Sequence, residues 1–214
     1  GIGADATVAA TSFYPGKNLG AYGDAGAVLS SHPDLARWVR ITADHGSEVR
    51  YRHELVGCNS RLDTLQAVVL SAKLKRLSAW NELRSRAAQR YVALIDDERV
   101  SLPTVAAGNT HVWHLFVVRV ADRDGVLARL AAAGIGAGIH YPVPIHLQPA
   151  FSYLGHRAGD FPHAEAAAQE ILSLPLFPGI TERQQGEVAE ALLGEGPQQV
   201  VVLARTGLRV TLVA

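Results

Sequence analysis

Short runs of small and β-prone residues open the chain. Ala6-Thr7-Val8-Ala9-Ala10 and Ala25-Gly26-Ala27-Val28-Leu29 predict two buried strands on either side of a polar, glycine-rich loop. The period then becomes helical. Leu35, Trp38, Val39 and Thr42 predict a helix from Ser31-His32-Pro33-Asp34 to about Asp44, with Ser31 as N-cap and Pro33 in its first turn. Residues 48–60 are polar and irregular and predict a long loop. Leu62, Leu65, Val69, Leu74, Leu77, Trp80, Leu83, Ala87, Tyr91 and Leu94 return to helical spacing. They predict one long helix over about 61–96, bent near Ser78–Trp80.

Farther on, residues 111–120 are apolar on both faces and predict a covered strand. Asp122 through Ala133 reads as a helix capped by Asp122 and ended by Gly134, and residues 135–141 as another strand. Residues 150–154 read as a turn of helix, 162–172 as a helix and 174–178 as a short strand. Thr181 and Gln184 have capping-box spacing before a last helix that runs to Leu193. The runs Val200–Leu203 and Leu208–Val213 form an apolar tail without an assignment. Strands alternating with helices make this an α/β chain.

Composition narrows the function classes. In 214 residues, Lys plus Arg and Asp plus Glu both total 20. No net field therefore steers the chain toward nucleic acid or an anionic membrane. With 48% hydrophobic and 19% charged residues it reads as a soluble globular protein. Cys58 is the lone cysteine, which excludes an intrachain disulfide and fits a reducing cytoplasm. No apolar run reaches the ~20 residues of a membrane span, and no signal-peptide pattern opens the chain. The sequence contains no methionine, even at position 1, and is expected to be part of a longer protein.

The most chemical stretch is Thr11-Ser-Phe-Tyr-Pro-Gly-Lys-Asn-Leu-Gly-Ala-Tyr-Gly-Asp24. Gly16, Gly20 and Gly23 let its backbone turn tightly, and Pro15 stiffens it around Lys17. By residue type alone Lys17 reads as a solvated loop lysine. A P-loop fails, because Thr11 and Asn18 stand where a glycine and a Ser/Thr are needed. Asn59 reads equally as the cap of the following helix. His111 and His114, three apart on a strand, would face opposite ways and make poor metal ligands. His140 and His146 flank Tyr141 without a third ligand at fitting spacing, so no metal site is expected.

SFYPGKNLGAYGDAGAV resembles the Schiff-base lysine segment of the DegT/DnrJ/EryC1/StrS family of sugar aminotransferases, which use pyridoxal 5'-phosphate (PLP). Three more segments of that family recur in order: HGSEVRYRHELVGCNSRLDTLQAVVL, GIHYPVPIHLQPAF and FPHAEAAAQEILSLPLFPGIT. Together the four span roughly residues 7–193. The resemblance implies the α/β fold of fold-type I PLP-dependent transferases. Residues 1–60 would end the large cofactor-binding domain, 61–97 would form a bridging helix, 98–193 the small C-terminal α/β domain, and 194–214 a tail.

The resemblance also implies roles. Lys17 would bind the cofactor and move the proton in catalysis. Ser12 would donate to the cofactor phosphate, as would Asn59 from the second subunit of a homodimer. Tyr14, His140 and Tyr141 would lie on the substrate side, and His146 would be structural. The substrates would be an amino acid donor, usually glutamate in this family, and a nucleotide-linked keto-deoxysugar. FYPGKNLGA is most similar to members acting on 3-keto sugars. Other parts of the cofactor site precede the lysine in the family, so this chain alone is expected to be inactive. The competing expectation is a non-catalytic dimerisation or binding module derived from the same fold.

Overall fold

A computed structural model of the chain describes residues 6–194. They divide into two compact units, one ending at Asn81 and the other beginning at Glu82. Both apolar runs of the tail lie outside the described residues. Among the described residues no helix is long and apolar enough to cross a membrane.

The first unit opens with β1 (Ala9–Ser12) and β2 (Gly26–Leu29), paired antiparallel with Ala9 opposite Leu29 and Ser12 opposite Gly26. The expected pair of strands is present, with β1 displaced toward the loop. They are not buried: Val28 and Leu29 are exposed, because a two-stranded ribbon has no second layer of its own to cover it. Helix α1 (Pro33–Ala43) starts one residue later than expected. Its N-cap is His32, without a side-chain cap bond, and Pro33 takes the first position, where its missing N–H costs nothing. The fully buried side chain is Ile41; Leu35, Val39 and Thr42 of the expected stripe are half-buried, whereas Trp38 remains 57% exposed.

The loop over 48–60 contains a small hairpin, β3 (Ser47–Val49) with β4 (Arg52–His53). Gly46 makes its entry possible: φ is +76°, and a Cβ there would collide with the Leu55 carbonyl. Arg37 of α1 ties the hairpin down through Glu48 and Glu54. Two helices replace the expected long one, α2 (Thr64–Leu74) and α3 (Leu77–Leu94). The break falls at Lys75-Arg76, ahead of the expected bend. The N-cap of α2 is Asp63 rather than Asn59 or Ser60, and it makes no side-chain cap bond. The two units divide within α3.

The second unit contains a three-stranded antiparallel sheet, β5 (Val100–Ser101), β6 (Phe116–Val120) and β7 (Ile171–Leu174), in that order. Helices α4 (Arg123–Ala132), α5 (Pro162–Glu170) and α6 (Glu182–Leu193) accompany it. Tyr91, Phe116, Val118, Leu130, Leu172 and Leu192 pack into its core with 2% exposure or less. Two polar groups are accommodated there by bonding. The Tyr91 hydroxyl donates to the Pro175 carbonyl at 2.8 Å. Gln185, fully buried, donates to the Ala87 carbonyl at 2.8 Å and accepts from Arg90 at 2.7 Å. Both predicted caps are present: Asp122 accepts from the Gly125 N–H, and Thr181 and Gln184 form a capping box.

Strand boundaries differ from the sequence reading. Residues 111–115 are not strand, because Trp113 takes a left-handed φ of +48° and buries its ring against Phe116. His111 and His114 therefore do not oppose each other on a strand. His111 instead accepts the Trp113 N–H through Nδ1 at 2.9 Å. The expected strand over 135–141 is reduced to one bridge, Gly138 with Ser173. Strand β7 follows α5 directly and ends at Leu174, since Pro175 and Pro178 cannot donate to a ladder.

Candidate active site

The lysine loop is closed at its neck by Phe13 N–H to Ala25 O and Ala21 N–H to Phe13 O, both 2.8 Å. Inside it the Lys17 N–H donates to Tyr14 O at 2.8 Å, so Tyr14-Pro15-Gly16-Lys17 forms a tight turn with proline at its second position. Gly20 passes so close to the Pro15 carbonyl that any Cβ would collide with it. The loop is also held from α2 and α3. Asn18 donates to Asn81 at 2.8 Å, Lys73 donates to Gly20 O at 2.6 Å, and the Tyr22 N–H donates to Gln66 at 2.8 Å.

Beside the loop lies a cleft of about 740 Å³, whose lining includes Thr11, Ser12, Tyr14, Asp24, Asn59 and Arg61. Ser12, Tyr14 and Asn59, three of the residues singled out in the sequence, thus share one cleft. Lys17 is not among the lining residues; it stands at the turn of the loop that leaves the cleft at Ser12 and returns at Asp24. The Ser12 Oγ accepts the Tyr14 N–H at 3.2 Å, which leaves its own proton to be donated. Asn59 Oδ1 accepts from Arg61 Nε at 3.2 Å, which presents the amide NH₂ as the group for a ligand. Arg61 is also paired with Asp44 at 3.2 Å. A hydroxyl, an amide and a guanidinium at one cleft are the donors that a phosphate group takes. Asp24 and Arg61 were not singled out in the sequence. An aspartate ending a glycine loop and an arginine two residues after an asparagine carry no distinctive spacing.

In the second unit His140 Nδ1 lies 2.9 Å from the Ser173 hydroxyl. Tyr141 is exposed and lines an apolar pocket of about 600 Å³ with Val143, Phe151, Leu154 and Phe161. His146, at one wall, is bonded to Glu165 at 3.0 Å. The Glu165 carboxylate also accepts the N–H groups of Gly159 and Phe161, at 2.9 and 3.2 Å. The Gly159 N–H is the larger cause that holds this carboxyl below its ordinary 4.5, and the Phe161 N–H and His146 add to it. A depressed carboxylate contributes stability that is present above its unfolded value and lost as pH falls through the folded one. Acid is therefore expected to lower the thermal midpoint below about pH 4.5, and Glu165→Gln to flatten that fall. Thermal melts followed by circular dichroism between pH 3 and 7 measure both.

Comparison with known proteins adds the remaining constraint. A profile of the DegT/DnrJ/EryC1/StrS aminotransferase family matches residues 1–193. The dTDP-3-amino-3,4,6-trideoxy-alpha-D-glucose transaminase of Streptomyces venezuelae is 45% identical over 192 residues, which cover 89% of this chain and 51% of that protein. The crystal structure of S. venezuelae DesV with a ketimine intermediate superposes with a TM-score of 0.84 at 44% identity, over 91% of this chain and 53% of that one. The NtdA structure from Bacillus subtilis with bound cofactor PMP gives 0.79 at 31% identity, over 90% and 46%. The chain thus spans about half the length of the curated relatives it matches. The α/β fold expected from the lysine segment is the fold of these structures. With the profile covering the chain from its first residue through α6, this protein belongs to the DegT/DnrJ/EryC1/StrS aminotransferase family.

Proposed function

We propose that this chain is the lysine-bearing part of a PLP-dependent aminotransferase. It moves an amino group from an amino acid, glutamate by preference, to a nucleotide-linked keto-deoxysugar in aminosugar biosynthesis. The carrying observation is that Ser12 lines a cleft at the foot of the loop that presents Lys17. A hydroxyl donor at that cleft suits a phosphate, and a lysine on a loop sprung from it suits an aldehyde cofactor. The likeness to the S. venezuelae transaminase supports a dTDP-linked 3-keto-6-deoxyhexose as the acceptor class.

Bound PLP supplies the electron sink that lets a carbon–nitrogen bond be broken on one substrate and made on another. The residues do the rest. The Lys17 amine would hold the cofactor covalently and would move the proton in catalysis. Ser12 would bind the phosphate of its own subunit's cofactor, and the Asn59 amide that of the second subunit of a homodimer. Tyr14, His140 and Tyr141 stand on the substrate side. The protein works in the cytoplasm. The isolated chain, which spans half of its relatives' length, does not turn over alone.

The test is chemical. The full-length gene product is incubated with PLP, reduced with borohydride and peptide-mapped. The expected result is a pyridoxyl adduct on Lys17. An adduct only on Lys73 or Lys75, or none, overturns the reading and leaves a non-catalytic binding module of the same fold in its place.

A further inference from the structure

The contacts that hold the lysine loop come from polar residues at regular helical intervals. Gln66 and Lys73 are seven apart on α2, two turns along the same face. Asn81 follows eight residues later on α3. They hold residues 22, 20 and 18 of the loop, every second position after Lys17. Lys73 makes the strongest of these contacts. Its Nζ donates to Gly20 O at 2.6 Å and lies 4.5 Å from the centre of the Tyr22 ring. A charge-assisted bond and a cation–π contact thus meet in one half-buried ammonium. The same stretch carries Gly16, Gly20 and Gly23, so its backbone alone has little stiffness.

The geometry points to Lys73, seconded by Gln66, as a positioning residue that fixes where Lys17 delivers its amine. This rests on the aminotransferase reading of Lys17 given above. Lys73 itself does not touch the cofactor in this assignment; its ammonium is engaged by the loop. A catalytic group misplaced by about 1 Å costs on the order of 100-fold in rate, and a glycine-rich loop released from one side shifts that far readily. The expected signature is therefore a kcat effect with little change in KM.

Three variants and three readouts test this. In the cofactor-free protein, Lys73→Met is expected to speed tryptic cleavage after Lys17 several-fold, while Lys75→Met, at an exposed position outside these contacts, leaves it unchanged. In the PLP-loaded full-length gene product, Lys73→Met lowers kcat about tenfold or more with KM for the amino donor within about twofold. The pH at which the bound cofactor's visible absorbance titrates is displaced, while borohydride still traps the adduct on Lys17. Gln66→Leu reproduces the pattern more weakly, which keeps the test open where Lys73→Met fails to fold. Unchanged cleavage, kcat and absorbance titration in both Lys73→Met and Gln66→Leu overturn the assignment. So does a loss of activity that merely parallels a loss of folded protein. Absence of the Lys17 adduct in the unmodified protein overturns the aminotransferase reading instead, and the cleavage assay then still reports on the clamp.

Discussion

Lys17→Ala in the full-length gene product is expected to abolish the borohydride-trapped adduct and to lower transamination by at least 10²- to 10⁴-fold, the range that a positioned general acid–base supplies alone. The reason is that, in the function proposed above, one amine performs two jobs, holding the cofactor and moving the proton. The other lysines of the chain, Lys73 and Lys75, cannot substitute. Lys73 is engaged by Gly20 and Tyr22, and Lys75 is exposed at the C-terminal end of α2. Lys17→Arg is expected to fail as completely, because a guanidinium keeps its charge and has no free lone pair to attack an aldehyde. Circular dichroism should show both variants folded, since the Lys17 bond that closes the turn is made by its backbone N–H. Substantial turnover by Lys17→Ala would contradict the role assigned to the loop. Added primary amine restoring part of the activity would support it, because only the proton-transfer group is then replaced.

How much of this was legible in the sequence depends on where the information is local. The capping box of Thr181 and Gln184 and the Asp122 cap were readable because they use only neighbouring residues. That the backbone turns tightly around Lys17 was readable from Pro15 and the glycines for the same reason, though the bounds of the turn were not. The strand reading failed at residues 111–115 because Trp113 adopts a positive φ to reach the core, which no apolar alternation reveals. The break at Lys75-Arg76 was misplaced because helical spacing continues across it. At the site, Lys17, Ser12 and Asn59 took their roles only through family resemblance; residue type alone favoured a solvated loop lysine for Lys17 and left a helix cap evenly balanced for Asn59. Lys73 and Gln66 went unnoticed because polar residues at helical spacing look like any exposed face. Only the folded chain shows that this face meets the loop.

The largest stability effect is expected at Arg84 of α3. It is 8% exposed, and its Nη1 donates to the carbonyls of Trp113, His114 and Leu176 at 3.1, 3.3 and 2.9 Å. Those carbonyls belong to the irregular segments that precede β6 and follow β7, where no sheet ladder satisfies them. Burial lowers the Arg84 pKa, but a guanidinium starts so high that it stays charged. Its side chain therefore joins α3, through one cation, to the segments that enter β6 and leave β7 at one end of the sheet. Arg84→Ala leaves these acceptors unmatched and opens space beside Trp113, and each unmet buried group costs about 1–3 kcal/mol. With some water reaching the gap, a net loss of about 3 kcal/mol is expected, read as a lower urea midpoint with an unchanged slope. Arg84→Lys should recover part of that loss, since an ammonium can reach one carbonyl but lacks the fork. A loss under about 1 kcal/mol for Arg84→Ala would mean that water satisfies the three carbonyls. The anchoring of the segments around β6 and β7 would then rest on Trp113 and Phe116 packing alone.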